Sequence, residues 1–503
     1  MRMRSLGRRG GPVLLIIAFW LALIISAATR GDTPTTTAAT APPDSLSASW
    51  SAAMRDLHVP GMIVVTVDRD HTVRTDVLGL RDVERNLPMD PDTRVYIASC
   101  TKPFVACAAA VLAAEGKLDL DAPVRRYLPK FDLADHGYAD SVTVRDLLAH
   151  KPGLKCPPIT FGDAYTGQMN DERYYRLLAA TKPRRSFSYS NLHYTLVGRV
   201  IEAVTHKSWK DVLAERIFKP AGMTRTTCSA SRAEADRNVA IGYDYERGAT
   251  VRATPPKVDA TMHAAGGIYT TANDLARWLR LQLGNGTLDG RRVLPAQAIA
   301  TMRELLAPDA AEAHPLIKSE KRIAWGAGWD IRTFDADTLY CHNGNFAGAG
   351  AFISILPGRN LGVAVASNGS GASVMLAEVA GAQAYDAALG RAQKNDLTTL
   401  AKMAASRTPP DTPLTANGTL SLPAHSYKGE FANDDWGVVR IDESHGVLSG
   451  SIGALALPIR LTGKDGFSAA GYHGRFELDA TGHVAALWMD TAAPDSVRFQ
   501  RRR

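Results

Sequence analysis

The chain has 503 residues, 45% hydrophobic and 22% charged, which is the make-up of an ordinary globular protein of roughly two to four domains. Its formal charge is +7, but Arg2, Arg4, Arg8 and Arg9 precede an apolar run; less these four, 54 of the 58 basic residues face 51 acidic ones. That near-balance excludes a basic nucleic-acid surface, and five cysteines, none at metal-ligand spacing, exclude a disulfide framework and a zinc site.

Val13 to Ala28 is apolar apart from Ser26 and is shorter than the ~20 residues of a membrane span. With the basic head before it and the small residues Ser26-Ala27-Ala28 at its end, residues 1–28 read as a secretory signal peptide. An uncleaved membrane anchor is the alternative. Residues 29–45, rich in Thr, Ala and Pro, read as a flexible tether. In an oxidising compartment, Cys156 and Cys228 are the expected disulfide pair, both lying in loop-like sequence.

A mixed domain is expected over 46–395. Met62–Val67 and Thr72–Leu80 form a hairpin, turning at Asp68 to His71. The run after Ser99 is a helix ending at Gly116, with Cys107 buried on it. Residues 121–260 form a largely helical insert, with helices at 144–150, 194–205 and 210–217. Asn273–Leu283 is an amphipathic helix capped by Thr271 or Asn273. Strands follow at 338–341, 350–356 and 362–367, with a turn at Pro357–Asn360, then a helix at 374–389. A linker is expected over 396–417. Residues 418–503 alternate apolar and polar with Gly and Asp turns, the pattern of an antiparallel barrel or sandwich. The fold class is therefore α+β, an antiparallel sheet flanked by helices, followed by an all-β domain.

Three short constellations carry chemistry. Ser99 and Lys102 stand at i and i+3, on one face of a helix. Pro103 fits only the first turn, so the helix must begin close to Ser99. A serine hydroxyl needs a base, and Lys102 serves as one if burial keeps it neutral. The alternative is a capping serine with a surface lysine. Tyr189 and Asn191 point the same way along an extended segment. Tyr189 is a base if an ammonium stabilises its phenolate, and Asn191 offers a donor and an acceptor to a substrate amide. The alternative is a tyrosine packed beneath a helix cap. His342-Asn343-Gly344 follows a strand. His342 is placed to donate to a substrate carboxylate or to move protons, and Gly344 to leave room for a substrate backbone.

Order and separation unite the three. Ser99-x-x-Lys102, Tyr189-x-Asn191 and His342-x-Gly344 resemble the Ser-x-x-Lys, Tyr-x-Asn and Lys-Thr-Gly or His-x-Gly motifs of the serine β-lactamase and penicillin-binding-protein superfamily. VYIASCTKPF, TVRDLLAHKPGL, FSYSNLHYTLVGRVIE, AAGGIYTTANDLARWL and HNGNFAGAGAFISILPGRN are similar to the family's text around them, and the resemblance covers about residues 50–390. It implies Ser99 as acyl-accepting nucleophile, with Lys102 and Tyr189 sharing the proton transfers. Asn191 contacts the substrate amide, His342 stands where many members have Lys, Gly344 lines the strand, and the Ser99 and Asn345 N–H groups form the oxyanion hole. His342 in place of Lys is more typical of peptidase and esterase members than of class C β-lactamases, and HKPGL at 150–154 departs from the more usual HTSGL. The C-terminal region resembles the lipocalin-like extension of related peptidases.

The implied activity is hydrolysis of amides or esters: small peptides, D-amino-acid derivatives, cell-wall fragments or esters. A D-Ala-D-Ala carboxypeptidase or β-lactamase shares this chemistry, and a non-catalytic ligand-binding protein on the same fold is the reading from another class. No cofactor or metal and no nucleic-acid partner is implied. The expected partner is a small-molecule or peptide substrate, in the periplasm or secreted, or at the inner membrane if residues 13–28 are retained.

Overall fold

A computed structural model describes residues 43–246, 248–395, 397–407, 418–491 and 496–502. The expected signal peptide, and the tether up to residue 42, lie outside them. Two compact units emerge, one of residues 38–156 and 174–410, the other containing 157–173 and 411–503.

The larger unit is built on a nine-stranded antiparallel sheet. Its order is Ala307–Ala313, Glu320–Trp325, Asp330–Phe334, Asp337–Phe346, Ala349–Leu356, Leu361–Ser367, Gly61–Val67, Thr72–Asp82 and Leu87–Pro88. The N-terminal hairpin thus joins the last strand, with Val64 opposite Val365. Every residue of Gly61–Val67 is buried, which is why GMIVVTV lacks a polar face: both sides of this strand are covered. On one side Met62, Val64, Val363 and Val365 share a core with Trp50, Leu376 and Tyr385. On the other, Ala272–Leu283 crosses closely enough that a Cβ on Gly362 would stand 3.2 Å from Leu279. Thr271 caps that helix, accepting from the Asp274 N–H, which settles the choice between Thr271 and Asn273.

Several expectations change. The first helix is Pro43–Asp56, so the end of the expected tether is helical. Leu397–Arg407, expected as linker, is a helix whose Leu397 and Leu400 are buried with Trp50; residues 408–417 of the linker are outside the described set. The insert carries a hairpin, Tyr243–Glu246 with Ala249–Arg252. Cys156 and Cys228 form no disulfide with each other, and all five cysteines are buried.

The second unit is a nine-stranded antiparallel sheet in the order Leu455–Leu457, Val447–Ile452, Gly437–Ser444, Gly429–Asn433, Val497–Arg501, Val484–Met489, Tyr472–Leu478, Gly466–Ala469 and Arg460–Leu461. Two edges remain, so it is a half-barrel rather than a closed one. Residues 157–173, drawn from within the expected insert, complete this unit. Phe161 packs in its core against Trp436 and Tyr472 (5.5 and 6.0 Å between ring centres). The Gln168 side chain accepts from Val438 N–H (2.9 Å) and donates to Val438 C=O (3.2 Å), bonding both backbone groups of that residue.

Candidate active site

Ser99 is carried on a tight turn. Val95 and Tyr96 form a buried strand paired with Tyr269–Thr270. Ala98 then takes a left-handed backbone, φ 45°, a strain of about 1–3 kcal/mol for a non-glycine residue. A 3-10 turn, Ala98–Thr101, runs straight into the helix Lys102–Ala114, with Pro103 in its first turn. The helix starts where the proline required. Ser99 itself is half-buried.

The strand Asp337–Phe346 is locked against this turn. Cys100 Sγ donates to the His342 carbonyl (3.2 Å). A Cβ on Gly344 would overlap the Ile97 carbonyl oxygen. The space expected for a substrate backbone at Gly344 is therefore filled by the nucleophile's own turn. Glycine is required there for close approach, which sets the strand directly against the turn that carries Ser99. His342 is also part of the strand rather than following it.

Lys102 is fully buried. Its Nζ stands 2.9 Å from Ser99 Oγ, from Asn191 Oδ1 and from the Ala265 carbonyl oxygen. Burial holds its pKa well below the usual lysine value. A neutral amine has two N–H groups and one lone pair. Two of its neighbours, Asn191 Oδ1 and the Ala265 oxygen, only accept. The lone pair is left for the Ser99 hydroxyl proton, the arrangement a general base needs.

Tyr189 is half-buried, and its ring centre lies 4.8 Å from Lys102 Nζ. Burial pushes its phenol above the usual range, while a hydrogen bond with Ser99 pulls the other way. Burial works against the phenolate expected from a neighbouring ammonium, since it disfavours charge on both Tyr189 and Lys102. Tyr189 is a protonated hydroxyl that can relay a proton. Ser190 caps the helix Asn191–Thr205, accepting from Leu192 N–H. Asn191 opens that helix, and its Oδ1 accepts from Lys102 (2.9 Å), which leaves its amide N–H groups and a second lone pair on Oδ1.

His342 is 1% exposed. Its Nδ1 lies 2.6 Å from the Asn343 carbonyl oxygen. That oxygen can only accept, so Nδ1 carries the proton and Nε2 a lone pair. Burial above all lowers its pKa to about 3, which favours the neutral ring. The expected donation to a substrate carboxylate is thereby overturned: the one ring N–H is spent on the backbone. Asn343 is pinned in turn, donating from Nδ2 to Glu378 (2.8 Å). Glu378, held at about 2 by charge and hydrogen bonding despite its burial, meets Arg332 (3.3 Å) and His314 (3.0 Å). Arg332 also pairs with Asp330 (2.7 Å) and Glu320 (2.8 Å).

Sequence reasoning passed over His150, His193 and Trp325. His150 Nδ1 and His193 Nδ1 are 2.9 Å apart, and His193 Nε2 accepts from Leu154 N–H (3.0 Å). His193 Nδ1 must then donate to His150. Both rings are kept neutral by burial and neighbouring charge. His150 packs 4.7 Å from the Tyr189 ring centre and 5.5 Å from that of Trp325. The available signals were His150 in HKPGL and His193 two residues after Asn191. Among the described residues no group of three or more His, Cys, Asp or Glu side chains is arranged to hold a metal.

Protein flp of Staphylococcus aureus (strain N315) is 27% identical over 322 residues, 62% of this chain and 60% of that protein, so the chain matches somewhat over half the length of this curated relative. The octameric penicillin-binding protein homologue from Pyrococcus abyssi is similar in fold over 91% of this chain and 99% of its own, at 22% identity and a TM-score of 0.61. A D-stereospecific amidohydrolase from Streptomyces sp. is similar over 66% of this chain and 95% of its own, at 22% identity and a TM-score of 0.51. The family description Beta-lactamase matches residues 47–388, more than half of the chain and all of the catalytic constellation. The protein belongs to the β-lactamase family.

Proposed function

We propose that the protein is an exported serine hydrolase that cleaves amide or ester bonds through an acyl-enzyme on Ser99. The observation that carries this reading is the buried lysine: Lys102 Nζ sits 2.9 Å from Ser99 Oγ with its other two contacts to obligate acceptors. As Oγ attacks the substrate carbonyl carbon, its proton passes to the Lys102 lone pair. The Ser99 and Asn345 N–H groups take the oxyanion, a contribution of several kcal/mol. Lys102 then returns the proton through the Tyr189 hydroxyl to the leaving nitrogen or oxygen, and the C–N or C–O bond breaks. Water attacks the acyl-enzyme by the same route: Lys102 and Tyr189 take its proton and hand it to Ser99 Oγ.

Substrates with a D-configured acyl residue are the favoured class. The support is the shared fold with a D-stereospecific amidohydrolase. The export reading rests on the basic head and apolar run of residues 1–28. Stopped-flow hydrolysis of D- and L-alanine p-nitrophenyl esters tests the proposal. A burst of p-nitrophenol equal to the enzyme concentration, faster for the D ester and lost in Ser99→Ala, is expected. A steady rate without a burst that survives in Ser99→Ala refutes the acyl-enzyme, and equal burst rates for the two esters refute the D preference.

A further inference from the structure

His342 Nε2 and Trp325 Nε1, both buried beside the catalytic residues, have no hydrogen-bond partner among the described residues. They are complementary. With Nδ1–H committed to the Asn343 carbonyl, His342 Nε2 is an acceptor, whereas the indole nitrogen of Trp325 is a donor. The two rings meet edge to face, 5.9 Å between centres. Both border Tyr189, at 6.0 Å for His342 and 5.5 Å for Trp325. Tyr189 is the hydroxyl that hands a proton to the leaving group, so the pair lies on the leaving-group side. Phe187, half-buried and stacked on Trp325 at 5.4 Å, closes the same wall.

The surrounding charge decides what this side accepts. Lys102 is neutral. Arg322, 5.5 Å over the Trp325 ring, is held by both Asp330 oxygens (2.9 and 3.1 Å). Arg332 is shared among Asp330, Glu320 and Glu378. Two guanidiniums thus face three carboxylates, leaving no surplus positive charge for a carboxylate. An N–H presented to His342 Nε2 and a C=O presented to Trp325 Nε1 would satisfy both orphan atoms, and a peptide or primary amide carries both groups.

We propose that the leaving-group side of the site selects an uncharged amide, through His342 Nε2 and Trp325 Nε1, and rejects a free terminal carboxylate. The substrate is then an internal bond of a peptide or a C-terminally blocked one. This rests on the acyl-enzyme reading above. A carboxylate would set its lone pairs against the His342 lone pair in a site with no cation to hold it, and sites whose buried polar groups are left unpaired discriminate strongly.

The test compares the depsipeptide N-acetyl-D-alanyl-D-lactate with its terminal amide, N-acetyl-D-alanyl-D-lactamide, with p-nitrophenyl acetate as a control for acylation of Ser99. Wild-type kcat/KM is expected to be at least about tenfold higher for the amide. His342→Lys, which restores a cation, reverses the order. Trp325→Phe keeps the ring and removes the donor, lowering kcat/KM for the amide about threefold or more. Equal rates, a preference for the carboxylate, or hydrolysis of neither depsipeptide by protein that p-nitrophenyl acetate acylates would overturn the selection while sparing the acyl-enzyme. Failure of p-nitrophenyl acetate to acylate Ser99 overturns both.

Discussion

Replacing Lys102 by Met separates catalysis from stability. The thioether fills the buried space without an amine. The Ala265 carbonyl and Asn191 Oδ1 each lose a donor at 2.9 Å, at about 1–3 kcal/mol each, so a pH-independent loss of roughly 2–6 kcal/mol is expected. A second, pH-dependent contribution has the opposite sign. Lys102 is depressed by burial, whereas an unfolded lysine titrates near ~10.4. Above that pH both states hold a neutral amine. As pH falls below it, the unfolded chain binds a proton that the folded site does not, and the wild type loses about 1.4 kcal/mol per pH unit until the folded pKa is reached. Lys102→Met lacks this penalty. Its deficit against wild type should therefore shrink by about 1.4 kcal/mol for each unit from pH 9.5 down to 7.5. Lys257, lowered to about 7 by burial, acts equally on both proteins and cancels. Urea unfolding of the two proteins at pH 7.5, 8.5 and 9.5 measures the difference, and kcat/KM should fall on the order of 10³ or more alongside. A deficit that is constant, or that grows toward neutral pH, would refute the neutral lysine and with it the base assignment.

Three further outcomes are expected. Arg332→Met strands Asp330, Glu320 and Glu378 in the interior and should cost about 3–5 kcal/mol in urea unfolding; a change under about 1 kcal/mol would mean the carboxylates take up protons instead. Tyr189→Phe keeps the ring against Lys102 and removes the proton relay, so kcat/KM should fall about 10²–10³-fold with an unchanged circular dichroism spectrum; near wild-type activity would mean Lys102 protonates the leaving group directly. Phe161→Ala empties a site in the half-barrel core and should destabilise that unit by about 3–5 kcal/mol, seen as faster hydrogen exchange over 429–489. Exchange unchanged there would show that residues 157–173 do not hold that core together.

Local rules made much of the site legible. Pro103 fixed where the Ser99 helix starts because a proline ring tolerates only the first turn. The Met62–Val67 strand followed from its short run of apolar, largely β-branched residues, and the Pro357–Asn360 turn from its Pro, Gly and Asn. The strands between 307 and 334 were not legible, because Glu320, Arg322, Asp330 and Arg332 read as surface until their mutual pairing is seen. Leu397–Arg407 looked like linker because its composition hides the packing of Leu397 and Leu400 beneath the first helix. Residues 157–173 showed no sign of belonging to the β unit, since that depends on partners more than 260 positions away, such as Val438 for Gln168. The role of His342 was misread for a similar reason: a backbone oxygen one residue on sets its tautomer, and motif spacing carries no tautomer. Gly344 was legible as a close-approach position, but not which backbone approaches it.

The central claim is that Ser99 becomes covalently acylated because Lys102 removes its proton. Intact mass of the protein quenched in acid after milliseconds with p-nitrophenyl acetate, followed by peptide mapping, tests it most directly. One acetyl group on the peptide containing Ser99, absent in Ser99→Ala and much slower to form in Lys102→Met, is the predicted result. No adduct, or an acetyl group on another residue with Ser99 unmodified, would contradict it.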